Sequence, residues 1–127
     1  MNKICTDTKQ SKKLMEIGID VNSADMYYHN RTDIKYKGAL PIEYKHGNPL
    51  LSQEIPAWSL SALVDVLPIF IEFNGDKYYL RFMKEYVEYA NDELSIITGR
   101  CLHTTGNDNL VDACVEMIVK LKEEKLL

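Results

Sequence analysis

Between Leu110 and Leu121 the apolar residues return every three to four positions. Leu110, Cys114, Met117, Ile118 and Leu121 form one stripe, and Val111 and Val115 widen it. That period predicts a helix over about 110–124 with one face turned to a core. Asn109 suits the N-cap and Asp112 lies three residues on. Acidic Asp108 and Asp112 stand at its start, and Lys120, Lys122 and Lys125 near its end, as the helix dipole favours. Glu116 and Lys120 can pair one turn apart. A stripe this apolar reads as the cover of the protein's own sheet rather than as a seat for a partner helix.

A second helix is predicted over 60–67. Ser59 is its N-cap, Trp58 and Leu63 occupy the positions of a hydrophobic staple, and Pro68 stops it. A third, short helix is predicted over about 8–17, with Asp7 and Gln10 as a capping pair. Gly18 follows as the residue that tolerates the left-handed conformation, and Ile19 can fold back on Leu14. Asn22-Ser23-Ala24-Asp25 offers one more helical start, leading one or two turns into Met26, Tyr27 and Tyr28.

Alternation replaces the helical period in the middle of the chain. Ile69–Phe73 and Lys77–Phe82 flank Asn74-Gly75, a pair suited to a type I′ turn. With that turn, Phe73 faces Asp76, Glu72 faces Lys77, Ile71 faces Tyr78, Phe70 faces Tyr79 and Ile69 faces Leu80. Opposite charges meet on one face, and Ile69, Ile71, Tyr78 and Leu80 share the other. A second hairpin is predicted from Tyr86–Ala90 and Glu93–Thr98 around Asn91-Asp92, pairing Tyr89 with Leu94, Glu88 with Ser95 and Val87 with Ile96. The join at Met83–Glu85 reads as a tight turn or a bulge. Residues 29–57 are less regular; Ile34–Lys37 and Ile42–Lys45 can form a hairpin around Gly38. An irregular stretch of that length is a natural seat for specificity.

The expectation is therefore one α+β domain over residues 1–127. An antiparallel meander of three to four strands carries the two main helices on one face and the short N-terminal helix at an edge.

The chain has 127 residues, 46% of them hydrophobic and 27% charged, enough for a packed core. The longest apolar candidate, Leu60 to Phe73, is interrupted by Asp65, Pro68 and Glu72, so no membrane partner is expected. Lys residues near the start are not followed by an apolar stretch, which points to a cytoplasmic protein. No repeat or low-complexity tract is visible, and three scattered cysteines make no disulfide scaffold and no zinc-binding Cys-x-x-Cys pair. The net charge of −4 is uneven: residues 1–50 carry +2 and residues 51–127 carry −6. The acidic balance argues against general nucleic-acid binding, which needs a cationic surface.

The segments IPAWSLSALVDVLP (55–68) and NLVDACVEMIVKLKEEKLL (109–127) resemble a group of small uncharacterised proteins encoded in prophages and mobile elements of anaerobic gut bacteria. The resemblance covers about the last 75 residues and is looser before them. It implies the same order of capped helix, short antiparallel sheet and C-terminal amphipathic helix, and an accessory gene. The matching residues are apolar and capping ones, so no activity comes with it.

Candidate chemistry is sparse. Cys114 lies on the apolar stripe and reads as core; Cys101 and His103 share a strand face without an orienting acid in view. Asp25 and His29 have helical spacing for a shared metal, but two ligands are not a site, and Glu43 and His46 fall in the irregular stretch. No nucleophile elbow, phosphate loop or dinucleotide fingerprint is present, and no cofactor or metal is expected. His103, Thr104 and Thr105, followed by Gly106, combine hydroxyls and a helix entry; that loop is the seat of any small hydrolase or transferase activity, although Asp108 and Asp112 would repel an anion there. Tyr27, Tyr28, Tyr36 and Tyr44 gather in the first half, and Lys35-Tyr36-Lys37 and Tyr44-Lys45-His46 interleave cations with rings. Such a segment suits contacts with a protein partner or a second copy, and less well the stacking of single-stranded bases. The leading expectation is a non-catalytic interaction or accessory protein; a nucleic-acid-binding accessory using residues 27–46 is the alternative.

Overall fold

A computed structural model describes residues 3–29, 33–36, 55–82, 86–91, 102–103 and 109–127. The fold is α+β, with antiparallel sheets, and it divides into two compact units, residues 3–65 and 66–127.

In the first unit, α1 spans Thr8–Glu16 and both of its ends follow from local chemistry. The Asp7 carboxylate accepts from the Gln10 amide at 2.7 Å, while the Gln10 side chain accepts from the Asp7 amide at 3.0 Å. At the other end Gly18 adopts φ +91°, its N–H reaches the Met15 carbonyl, and the Ile19 N–H reaches the Leu14 carbonyl. That is a Schellman ending, and both Leu14 and Ile19 are buried.

The helical continuation expected through Met26–Tyr28 is corrected. Helix ends after a single 3-10 turn at Val21–Ser23, capped by the Asp20 side chain. The chain then enters β1, Met26–His29, the central strand of a three-stranded sheet between β2, Asp33–Tyr36, and β3, Ile55–Ala57. Two flanking ladders give Tyr27 and Tyr28 more hydrogen-bonding and packing than an isolated helical turn would. Pro56 is compatible with β3 because β3 is an edge strand. Ile34–Tyr36 is extended as expected, but its partner is β1; the run 42–45 lies outside the described residues. The helix α2, Leu60–Val66, follows β3, and the Ser59 hydroxyl accepts from the Ala62 amide at 3.2 Å, so Ser59 is its cap.

In the second unit, β4, Phe70–Phe73, and β5, Asp76–Phe82, pair in the register that the Asn-Gly turn predicts, residue for residue. Asn74 at φ 53° and Gly75 at φ 83° supply the two positive angles of a type I′ turn. The strand β6, Val87–Ala90, lies between β5 and β7, Leu102–His103, giving the order β4-β5-β6-β7. Tyr89 pairs with Leu102 and Glu88 with His103, which corrects the expected partners Leu94 and Ser95. The Asn91 side-chain amide donates to the Lys77 carbonyl at 2.9 Å, tying the end of β6 to β5. The expected strand 93–98 and the join at 83–85 lie outside the described residues.

The helix α3, Leu110–Glu123, packs on β6. Its stripe is buried from Val111 to Leu121, and with Ile71, Tyr78, Val87 and Tyr89 it makes the core of this unit. Asn109 caps it by accepting from the Asp112 amide at 2.9 Å. Lys125 ends it in the left-handed conformation at φ 58°, with the Leu126 N–H on the Leu121 carbonyl at 2.8 Å.

Candidate interaction surface

Several side chains that could carry chemistry, among the described residues of 3–65, are turned inward and hydrogen-bonded. Asp25 accepts from both the Ser59 amide, at 2.9 Å, and the Ser59 hydroxyl. The Trp58 indole donates to the Ser23 hydroxyl at 2.9 Å. Thr6 takes the Trp58 amide on its hydroxyl and gives its own amide to the Trp58 carbonyl. The Tyr28 hydroxyl donates to the Thr6 carbonyl at 2.7 Å, which leaves the Cys5 thiol as donor in their 3.7 Å contact. Burial, before any neighbouring group, pushes the Tyr28 hydroxyl and the Cys5 thiol above their ordinary values. Ser59 is thus a helix cap held by Asp25, and Cys5 is a neutral core thiol. In the second unit Cys114 is fully buried and its thiol is pushed up to about 12 by desolvation, so it is inert as well.

The residues singled out in the sequence fall in different places. Tyr28 packs against the core of Cys5, Met26 and Ala57. Tyr27, on the other face of β1, is half-buried, opposite Lys35 and Pro56. Tyr36 stands opposite Met26 at the end of β2. His103 stands opposite Glu88 on β7. Tyr44, Thr104, Thr105, Cys101, Glu43 and His46 lie outside the described residues. Asp25 precedes β1 and His29 ends it, so the two are spread along an extended strand instead of standing one helical turn apart. Among the described residues no three His, Cys, Asp or Glu side chains are grouped to hold a metal ion.

The outward-facing chemistry is elsewhere. Seven large apolar residues are exposed among the described residues, and five of them lie on or beside the β4–β5 hairpin, Phe70 and Tyr79 on one face and Ile69, Phe73 and Phe82 on the other. Solitary exposed apolar residues need no explanation, but a cluster on one hairpin does. Register places Phe70, Glu72, Lys77, Tyr79, Arg81 and Glu88 on one face of the sheet. The rings of Phe70 and Tyr79 meet at 6.0 Å and 48°, and the Lys77 ammonium lies 4.7 Å from the centre of the Phe70 ring. Glu72 stands opposite Lys77, and the Arg81 guanidinium holds buried Glu88 at 2.6 Å. Aromatic rings therefore occupy a strip in which each cation has a carboxylate beside it. The signal was in the sequence: Phe70 and Tyr79 fall on the face that also carries the charges.

No protein-family model matches the chain, and neither does any curated protein or solved structure.

Proposed function

We propose that this is a non-catalytic protein-interaction protein that makes its contacts through the β4–β5 hairpin. The observation that carries the reading is the concentration of exposed large apolar side chains between Ile69 and Phe82. Rings and an arginine, rimmed by charge, are the composition of protein contact surfaces. Support also comes from the serine and thiols described above, which are committed to capping and packing. The accessory role in a mobile element rests on the resemblance of segments 55–68 and 109–127. Stacking of single-stranded bases on Phe70 and Tyr79 is the weaker reading, because Glu72 and Glu88 offset Lys77 and Arg81 on that face.

The test is affinity capture with the tagged chain, with and without nuclease, comparing the native sequence with the double variant Phe70→Ser, Tyr79→Ser. A stoichiometric protein, or the chain itself, held by the native sequence, surviving nuclease and lost in the variant is the expected result. Recovery of nucleic acid in its place, or capture that the variant leaves intact, overturns the reading.

A further inference from the structure

Among the described residues β4 is the terminal strand of its sheet, and its Phe70, Glu72 and Phe73 are exposed, as is Ile69 just before it. The Leu80 N–H donates to the Ile69 carbonyl at 2.9 Å, which marks Ile69–Leu80 as a hydrogen-bonded pair of the antiparallel ladder. Such pairs alternate, so Ile71–Tyr78 and Phe73–Asp76 are also hydrogen-bonded, and Phe70–Tyr79 and Glu72–Lys77 are not. Phe70 and Glu72 consequently aim their N–H and C=O groups away from β5, at the open edge.

Resting on the reading of this hairpin as a contact surface, we infer that its partner is a second copy of this chain, joined antiparallel along β4. Only residues with outward backbone groups can form the hydrogen-bonded pairs of a new ladder, so few registers exist. Placing Glu72 opposite Glu72 of the second copy sets like charges together. Placing Phe70 opposite Phe70 leaves Glu72 opposite Pro68, which has no N–H. Placing Phe70 opposite Glu72 of the second copy meets neither obstacle and satisfies the outward groups of both residues on both chains.

That register also sorts the side chains. Ile71 faces Ile71 of the second copy, and Ile69, which is 78% exposed, faces Phe73. These are non-hydrogen-bonded pairs, where opposed side chains come closest. On the other face, Glu72 of one copy is brought beside the Phe70 ring of the other, over which the Lys77 ammonium already lies. The charges are complementary across the two-fold axis, which passes through the Ile71–Ile71 pair, and every other contact occurs twice. The product is one continuous eight-stranded sheet, in which the edge is removed by pairing.

The experiment is sedimentation equilibrium over a concentration series, with amide exchange read residue by residue. The native chain is expected to dimerise, with the amides of Phe70 and Glu72 becoming protected as dimer forms. The amides of Ile71 and Phe73, bonded inside the hairpin, stay protected at every concentration. Glu72→Pro takes away the outward N–H and the carboxylate but no hydrogen bond of the hairpin itself, so it should abolish the dimer while the Ile71 and Phe73 amides remain protected. A native chain that is monomeric with fast-exchanging Phe70 and Glu72 amides overturns the self-pairing. If that monomer still captures another protein through Phe70 and Tyr79, the contact-surface reading survives alone. A dimer that persists in Glu72→Pro also overturns the proposed edge.

Discussion

Residues 3–65 and the exposed positions of the 69–82 hairpin use polar and aromatic side chains in opposite ways. In residues 3–65, Trp58, Tyr28, Thr6, Ser59 and Asp25 point inward, and each donor or acceptor closes on a neighbour. In the 69–82 hairpin, rings of comparable size stand in solvent. Burying a polar group is tolerable only with a partner, so the first arrangement stabilises the fold. Leaving apolar rings half in water adds little to folding, and on the proposed reading a partner covers them. Substitutions in the first region should therefore be read in stability, and those in the second in association.

The contrast is broken most forcefully at Trp58. Trp58→Ala should cost about 3–5 kcal/mol, since it empties a fully buried site and takes the indole donor from the Ser23 hydroxyl; urea denaturation followed by circular dichroism would measure it. Asp25→Ala should cost about 1–3 kcal/mol by the same assay, because the Ser59 amide and hydroxyl lose their acceptor. Alkali probes the core of the other unit. The Cys114 thiol titrates at 9.0 ordinarily and at about 12 in the fold, so above pH 9 the unfolded chain binds fewer protons than the native one. The neutral thiol's stabilisation is thus complete below 9 and is lost as pH rises toward the folded value. The loss should reach about 1–2 kcal/mol by about pH 10.5 in native chain and be smaller in Cys114→Ala. Phe70→Ser with Tyr79→Ser should cost only about 0.5–1.5 kcal/mol, the worth of an aromatic pair, while abolishing capture. Smallest is Lys125→Gly, expected to add about 0.5–1 kcal/mol by relieving a left-handed lysine, read as a rise in Tm.

Local chemistry made much of the fold legible in the sequence. The ends of α1, the Ser59 and Asn109 caps and the Asn74-Gly75 register all depend on residues a few positions apart. What escaped was set at long range. Met26–His29 is a strand because residues 33–36 and 55–57 flank it, and β6 takes its second neighbour from Leu102 and His103. The candidate surface was half legible: alternation puts Phe70 and Tyr79 on the charged face, while the tyrosines at 27, 28, 36 and 44 are of the same residue type and no local pattern ranks one set above the other. Tyr28 could not be told from a contact residue by its surroundings in sequence, because its acceptor, Thr6, lies 22 positions away.

That long-range closure also sets an order of events during synthesis. Thr6 and Trp58 are joined across 52 positions, and no shorter stretch of chain can offer Thr6 its seat. As the polypeptide leaves the ribosome, the residues of α1 emerge long before Ser59 does. At roughly 5–20 residues per second, the gap is on the order of a few seconds. Through that interval the apolar side of the first helix, with Leu14 at its centre, is without its final cover and open to whatever guards nascent chains.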